Sequence, residues 1–276
     1  MAYNALLLLL LLPFAVTTVI YFIHSKYSKS SEDAADSQSP QDAATDGHSG
    51  ICKCPPTWLS NFLTVSVIIK CLPTIFLCVF VLSYIPNHPA KVYPILILVG
   101  LVFSCIGDTL LAIHATKNKD IFFFLGLAMF AVGHIMYIIA FGLHSFAFEN
   151  LVLIVCAPIG ILAYIYLLPG LCSLPQAIWI RVLIALATAV YFLLTVVMDW
   201  RGISRVTVTN AKWPEWCGCI GVISFSVSDM VLVINKFRHA VPYEKYIIMS
   251  TYFLAQLGIS LSVVPVGSVF TNDGYA

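Results

Sequence analysis

The chain has 276 residues, 60% of them hydrophobic and only 10% charged, against roughly 25% charged in an average soluble domain. That much apolar surface does not fit inside one soluble core, so a bilayer has to cover a large part of it. The net charge of +1 argues against a nucleic-acid partner, whose recognition needs a basic face.

The first apolar run is Leu6–Ile23. It resembles the apolar core of a signal peptide, but it lacks a positive leader and runs long, so it reads as a retained anchoring helix. Ser25 to Gly50 is rich in Ser, Ala, Asp and Gln, with Tyr27 its one aromatic residue, a composition that favours disorder. Residues 1–57 are therefore expected to be an N-terminal hydrophobic segment plus a polar linker, and residues 58–276 a multi-span membrane domain. Cys52 and Cys54 at the end of the linker suit palmitoylation.

Further apolar runs follow at Phe62–Tyr84, Val92–Ile113, Phe122–Leu143, Leu151–Leu168, Ala177–Met198, Cys217–Ile234 and Tyr246–Val264. Each has about the 20 residues that a helix needs to cross hydrocarbon. Helix is the expected form because lipid offers no partner for open strand edges. The fold class is thus all-α, a polytopic membrane bundle of about eight helices. Residues 199–216 read as a connection, with Trp213 and Trp216 at the membrane interface. The nine cysteines read as buried thiols, and no spacing among them supports a metal site.

With eight spans, one face carries Lys26, Lys29, Lys53, Lys117, Lys119, Lys236, Arg238 and Lys245; the other carries Lys91, Arg201, Arg205 and Lys212. The positive-inside rule puts the first set in the cytosol and both termini in the lumen.

Asp108, in FSCIGDTLL, and Asp229, in FSVSDMVLV, interrupt two of the runs. Each stands five residues before the lysine-rich end of its run, about 8 Å deep. Lys70 lies about 12 Å deep on the same side, and His134 and Gln256 enter from that side nearer the midplane. After each Asp comes a basic loop, and then a helix with Gly133-His134 in one case and Ala255-Gln256 in the other. The two helix pairs point the same way, which suggests a parallel internal repeat.

Ionisable groups in hydrocarbon cost a few kcal/mol each, so each is a candidate functional residue. Structural readings stand beside this one. Lys70 is able to snorkel, or to pair with Asp108 or Asp229 and hold helices together. His134 equally suits helix packing through a hydrogen bond. Lone aromatics such as Tyr137 and Tyr252 more often pack than react. His114, Lys117 and Lys119 read as a positive loop that would also suit an anionic lipid headgroup.

The segments IKCLP (69–73), GLVFSCIGDTLL (100–111), GLAMFAVGHIMYIIAFG (126–142), SDMVLVINKF (228–237), VPY (241–243) and IMSTYFLAQ (248–256) occur in an order and spacing that resemble the lysoplasmalogenase-like (YhhN-type) membrane proteins. The resemblance implies a hydrolase of the endoplasmic reticulum membrane that cleaves the vinyl ether bond of lysoplasmalogens. Its products are a fatty aldehyde and glycerophosphocholine or glycerophosphoethanolamine, and no cofactor is required. The expected partners are the lysoplasmalogen substrate and the bilayer, with oligomeric state left open.

The residues suit that chemistry. Vinyl ether cleavage begins with proton transfer to carbon, which a buried carboxylic acid is able to supply. A second carboxylate stabilises the oxocarbenium ion and takes a proton from water. Asp108 and Asp229 are the expected acid–base pair, with roles unassigned, and His134 is expected to relay protons. Lys70, Tyr137, Tyr252 and Gln256 are expected to bind substrate. The alternative is a proton- or cation-coupled transporter using the two Asp. A further rival is a non-enzymatic lipid-binding protein, in which the same residues are structural.

Overall fold

The computed structural model describes residues 11–26, 57–117, 119–142, 149–207 and 211–265. The expected linker and its cysteine pair lie outside these residues. The described chain forms helices throughout: α1 (Leu11–Lys26), α2 (Thr57–Tyr84), α3 (Val92–Lys117), α4 (Asp120–Phe141), α5 (Glu149–Cys172), α6 (Ile178–Ser204), α7 (Trp213–Phe237) and α8 (Glu244–Leu261).

Six of the eight, α2 to α7, are long and apolar enough to cross a membrane. The described part of α1 is shorter, and α8 has 18 residues with a more polar sequence. The expectation of eight equivalent apolar spans therefore changes at α8. Met249, Tyr252, Phe253, Ala255, Gln256, Gly258, Ile259 and Ser260 of this helix are all buried. A helix wrapped by protein has little need of the hydrocarbon-compatible surface that a lipid-facing helix requires.

The packed neighbours form a closed ring, α2–α3–α4–α6–α7–α8 and back to α2, with α5 outside against α6 and α7. The peripheral helices show it in their side chains. Ile154, Ile159 and Leu162 of α5 and Leu183, Leu186 and Leu193 of α6 are all exposed, and hydrocarbon is the solvent that such a surface fits. The helix α1 docks on α8 through aromatic edges, Phe14 and Tyr21 on Phe253 and Phe22 stacked on Tyr246.

The tightest pairs are α3 with α4 and α7 with α8. Gly100 and Gly221 each stand eight residues before an Asp, and each lets a neighbouring helix approach. A Cβ at Gly100 would lie 2.2 Å from the Tyr137 ring. A Cβ at Gly221 would lie 2.7 Å from the backbone N of Ile259, and one at Gly258 would lie 2.6 Å from the carbonyl O of Cys217. Small residues at such crossings let backbones close up where lipid supplies no hydrophobic drive. Counting from each Asp, Ser104 matches Phe225, so the likeness of the two helices is carried by these glycines and is one residue out of step with the Phe-Ser match in sequence.

Two other details differ from expectation. The helix α6 runs to Ser204, so Asp199 and Arg201 are helical rather than part of a connection. Among the described cysteines, Cys71 and Cys219 are buried thiols, whereas Cys172 is exposed.

Substituting Gly258 tests the packing. Gly258→Ala forces backbone against backbone and is expected to cost about 2 kcal/mol, read as a lower midpoint of thermal unfolding in detergent. Gly160→Ala meets only a Val196 methyl at its closest contact, which is able to rotate away, and a smaller loss is expected there.

Candidate functional site

The helices continue past the apolar runs that define them in sequence. Asp108 lies nine residues from the end of α3 and Asp229 eight from the end of α7, about 14 and 12 Å at the helical rise. The depths stay matched, and both exceed the 8 Å expected from the runs alone.

The two carboxylates have different partners. Lys70 Nζ on α2 is 3.1 Å from Asp108 Oδ1, and both side chains are withdrawn from the surface. Asp108 Oδ2 has no hydrogen-bond partner. The Tyr252 hydroxyl stands near both Asp108 and Thr74, without completing a hydrogen bond to either. On the other side, the Tyr191 hydroxyl of α6 donates to Asp229 Oδ2 at 2.7 Å. His134 Nε2 lies 3.3 Å from the same oxygen, outside hydrogen-bond geometry.

Aromatic rings separate the clusters. The His134 ring sits edge-on against Phe225 at 4.7 Å, and Phe225 meets Tyr252 at 5.7 Å. So the sequence candidates Asp108, Tyr252, His134 and Asp229 form one interior chain of neighbours, in which each carboxylate keeps its own donors. Tyr137 and Gln256 are brought together differently. The Tyr137 hydroxyl donates to Gln256 Oε1 at 3.0 Å, and both residues are fully buried.

The ring interior is polar. Thr74, Ser104, Asp108, His134, Tyr252, Gln256 and Ser260 each have a buried side-chain N or O without a hydrogen-bond partner. They come from α2, α3, α4 and α8. Buried polar atoms are normally satisfied, so a cluster like this calls for an explanation, and polar ligands or water are the chemistry it suits.

A cavity of about 560 Å³ opens at the lysine-rich end of the bundle, within the 300–1,000 Å³ usual for ligand sites. Lys70, Leu111 and Leu232 line it, along with Lys236, Glu244 and Lys245 near the helix ends. Leu111 and Leu232 each stand three residues beyond an Asp, one helical turn. The cavity thus reaches Lys70 and ends about a turn from both carboxylates. Tyr137, Tyr252 and Gln256 are not part of its lining.

Sequence reasoning missed three groups. Tyr191 and Thr74 sit in largely apolar runs, so a hydroxyl there was the available signal. Asp199, which accepts from Ser226 Oγ at 2.8 and 2.7 Å, was hidden by the misplaced end of α6. Among the described residues, no group of three or more His, Cys, Asp or Glu is arranged to hold a metal ion.

A family model described as the YhhN family matches residues 65–263. The protein named lysoplasmalogenase TMEM86A is 34% identical in Homo sapiens and in Bos taurus over 215 residues, covering 76% of this chain and 80% of the relative. The one named lysoplasmalogenase TMEM86B in Sus scrofa is 32% identical over 208 residues, covering 75% of this chain and 76% of the relative. No solved structure matches the chain.

The buried ion pair has a testable energetic signature. Lys70→Met leaves Asp108 with no cation and is expected to destabilise by about 3 kcal/mol. Lys70→Met combined with Asp108→Asn removes both charges, and thermal unfolding in detergent is expected to recover most of the loss. Equal damage in the single and double variants would mean that the pair is not coupled.

Proposed function

The chain belongs to the YhhN family, and from that membership and the site we propose that it is a lysoplasmalogenase, hydrolysing the vinyl ether bond of lysoplasmalogens to a fatty aldehyde and a glycerophosphoryl alcohol. The observation that carries the proposal is the presence of two buried carboxylates with separate donors, one turn from a cationic cavity at the lysine-rich end of the bundle. The relatives' names as hydrolases do not favour the transporter reading.

The chemistry divides between the clusters. Protonation of the β-carbon of the vinyl ether needs a donor that holds its proton until substrate is in place. The Asp229–His134–Tyr191 cluster is assigned that role, with the Tyr191 hydrogen bond and the adjacent His134 ring orienting the carboxyl. Asp108, tied to Lys70, is assigned the anionic role: it faces the oxocarbenium ion electrostatically and accepts a proton as water adds to the cationic carbon. The unpaired hydroxyls of Tyr252, near Asp108, and of Thr74 next to it suit the positioning of that water. The hemiacetal then collapses: its hydroxyl proton leaves, the bond to the glycerol oxygen breaks, and that oxygen takes a proton. One water is consumed, and no external oxidant or cofactor enters the balance.

Tyr137 and Gln256 were expected to bind substrate. Their hydrogen bond and full burial fit better with linking α4 to α8 across the ring interior. The proposal keeps the endoplasmic reticulum as the membrane and the lysine-rich end on its cytosolic side, following the positive-inside rule. Residues 1–57 are an extension ahead of the family domain.

Two experiments test the mechanism. Aldehyde release from purified protein in detergent is expected to fall by about 1,000-fold in Asp108→Asn and in Asp229→Asn, within the roughly 100- to 10,000-fold contribution of one acid–base group. A saturated ether analogue should stay intact. If both variants keep wild-type rates, the two-carboxylate mechanism is wrong. In heavy water, the aldehyde trapped at once by reduction should carry one deuterium on the carbon next to the former carbonyl. In ¹⁸O-water the glycerophosphoryl product should stay unlabelled, because the bond that breaks is on the vinyl side of the oxygen. Label in that product would place water attack on the glycerol carbon and overturn the protonation route.

A further inference from the structure

Hydrolysis of a vinyl ether needs no charge beyond the carboxylate clusters, yet the cavity carries an ordered set of charges at its rim. Lys236 and Lys245 line it together with one carboxylate, Glu244. Glu244 is held in place: Asn235 Nδ2 donates to Glu244 Oε2, while Asn235 Oδ1 accepts from the backbone N of Val241 at 2.9 Å. The same asparagine therefore clamps the turn in which Tyr243 takes a left-handed conformation, φ 57°, uncommon for a residue other than glycine. Lys236 is oriented as well, 2.7 Å from Asp120 and 5.0 Å over the Phe123 ring. Tyr21 and Tyr246 supply aromatic wall beside these charges.

We propose that this rim is a headgroup subsite for a phosphodiester bearing a tethered ammonium group, with the phosphate at Lys236 and Lys245 and the ammonium at Glu244 and the two tyrosine rings. The proposal rests on the hydrolase reading and specifies how its substrate is held. Three arguments carry it. Two lysines lining the same cavity as one fixed carboxylate complement a zwitterion, whereas a simple anion would be repelled by Glu244. A quaternary or primary ammonium gains from a carboxylate and from aromatic faces at once. Finally, the depth fits. From Asp108 to His114, another lining residue, is six residues of α3, about 9 Å. That rise is of the order of a glycerol with its phosphate, so a vinyl ether at the carboxylates puts the phosphate at the rim.

The subsite also gives α1 a task. Tyr21 comes from a helix that precedes residues 65–263, the part matched by the family, and its hydroxyl is close enough to interact electrostatically with Lys70 and Asp108. The helix outside the family match thus completes a wall of the family's cavity.

Binding of uncleavable saturated-ether lysolipids tests the assignment independently of catalysis. The probes are an alkyl glycerophosphocholine, an alkyl glycerophosphoethanolamine and an alkyl glycerophosphate that lacks the amine, titrated into detergent-solubilised full-length protein. Glu244→Gln keeps an oxygen for Asn235 and removes the charge. It is expected to raise Kd by about tenfold for the two amine-bearing lipids and to leave the alkyl glycerophosphate bound no more weakly. Lys245→Gln should weaken all three. Equal effects of Glu244→Gln on all three lipids, or none on any, overturn the proposal. Soluble glycerophosphocholine separates the two sources of this headgroup: if it binds and the lysolipids do not, the rim is a product site and the proposal fails. Selective lipid binding by a protein that releases no aldehyde would overturn the hydrolase reading and leave the subsite standing.

Discussion

A carboxylate inside a bundle that hydrocarbon surrounds has to be solvated by the protein itself, and this constraint organises the structure. Lipid provides no donor and no counter-ion, so each acidic group must draw partners from neighbouring helices. Asp108 takes an ammonium from α2, and Asp229 takes a phenol from α6 and an imidazole from α4. Each of those contacts joins two helices. The order of helices round the ring allows the Lys70 and Tyr191 contacts, because α3 neighbours α2 and α7 neighbours α6, while His134 reaches Asp229 across the interior from α4.

Close packing makes the interior possible and also limits it. Gly100 admits the Tyr137 ring, whose hydroxyl then reaches Gln256 on α8. Gly221 and Gly258 bring α7 and α8 nearly into backbone contact. With the helices that close, large side chains are excluded from the crossings and collect in the space between them. There, Phe225 and Tyr252 stand between the two carboxylate clusters. The separation matters chemically. Two carboxylates sharing a proton would act as one coupled unit, whereas carboxylates with separate donors are able to hold different roles through the reaction.

Much of this was legible in the sequence. The membrane class followed from composition, and the depth of each ionisable group followed from its distance along an apolar run. Helix depth is a one-dimensional property, so counting residues recovers it, apart from the added length where helices outran their runs. The repeat was visible too, although the match of Phe-Ser to Phe-Ser drew the eye one residue out of step with the packing glycines. The polar character of α8 is visible in the sequence, where its length and apolar residues nevertheless match a span. Its burial by other helices, which explains that polarity, is a property of the assembled ring.

The sequence by itself determined that the protein is a helical membrane bundle with two acids, an amine and a histidine in one leaflet-sized layer, and that its motifs belong with a known family. Tertiary structure alone decided that Lys70 pairs with Asp108 and not Asp229, that Tyr191 donates to Asp229, that Tyr137 donates to Gln256, and that a cationic cavity ends one turn from both acids. The reason is geometric. Residue spacing sets height along a helix, but partnership depends on how each helix is rotated about its axis and which helix stands beside it, and those are settled only when all the faces pack at once.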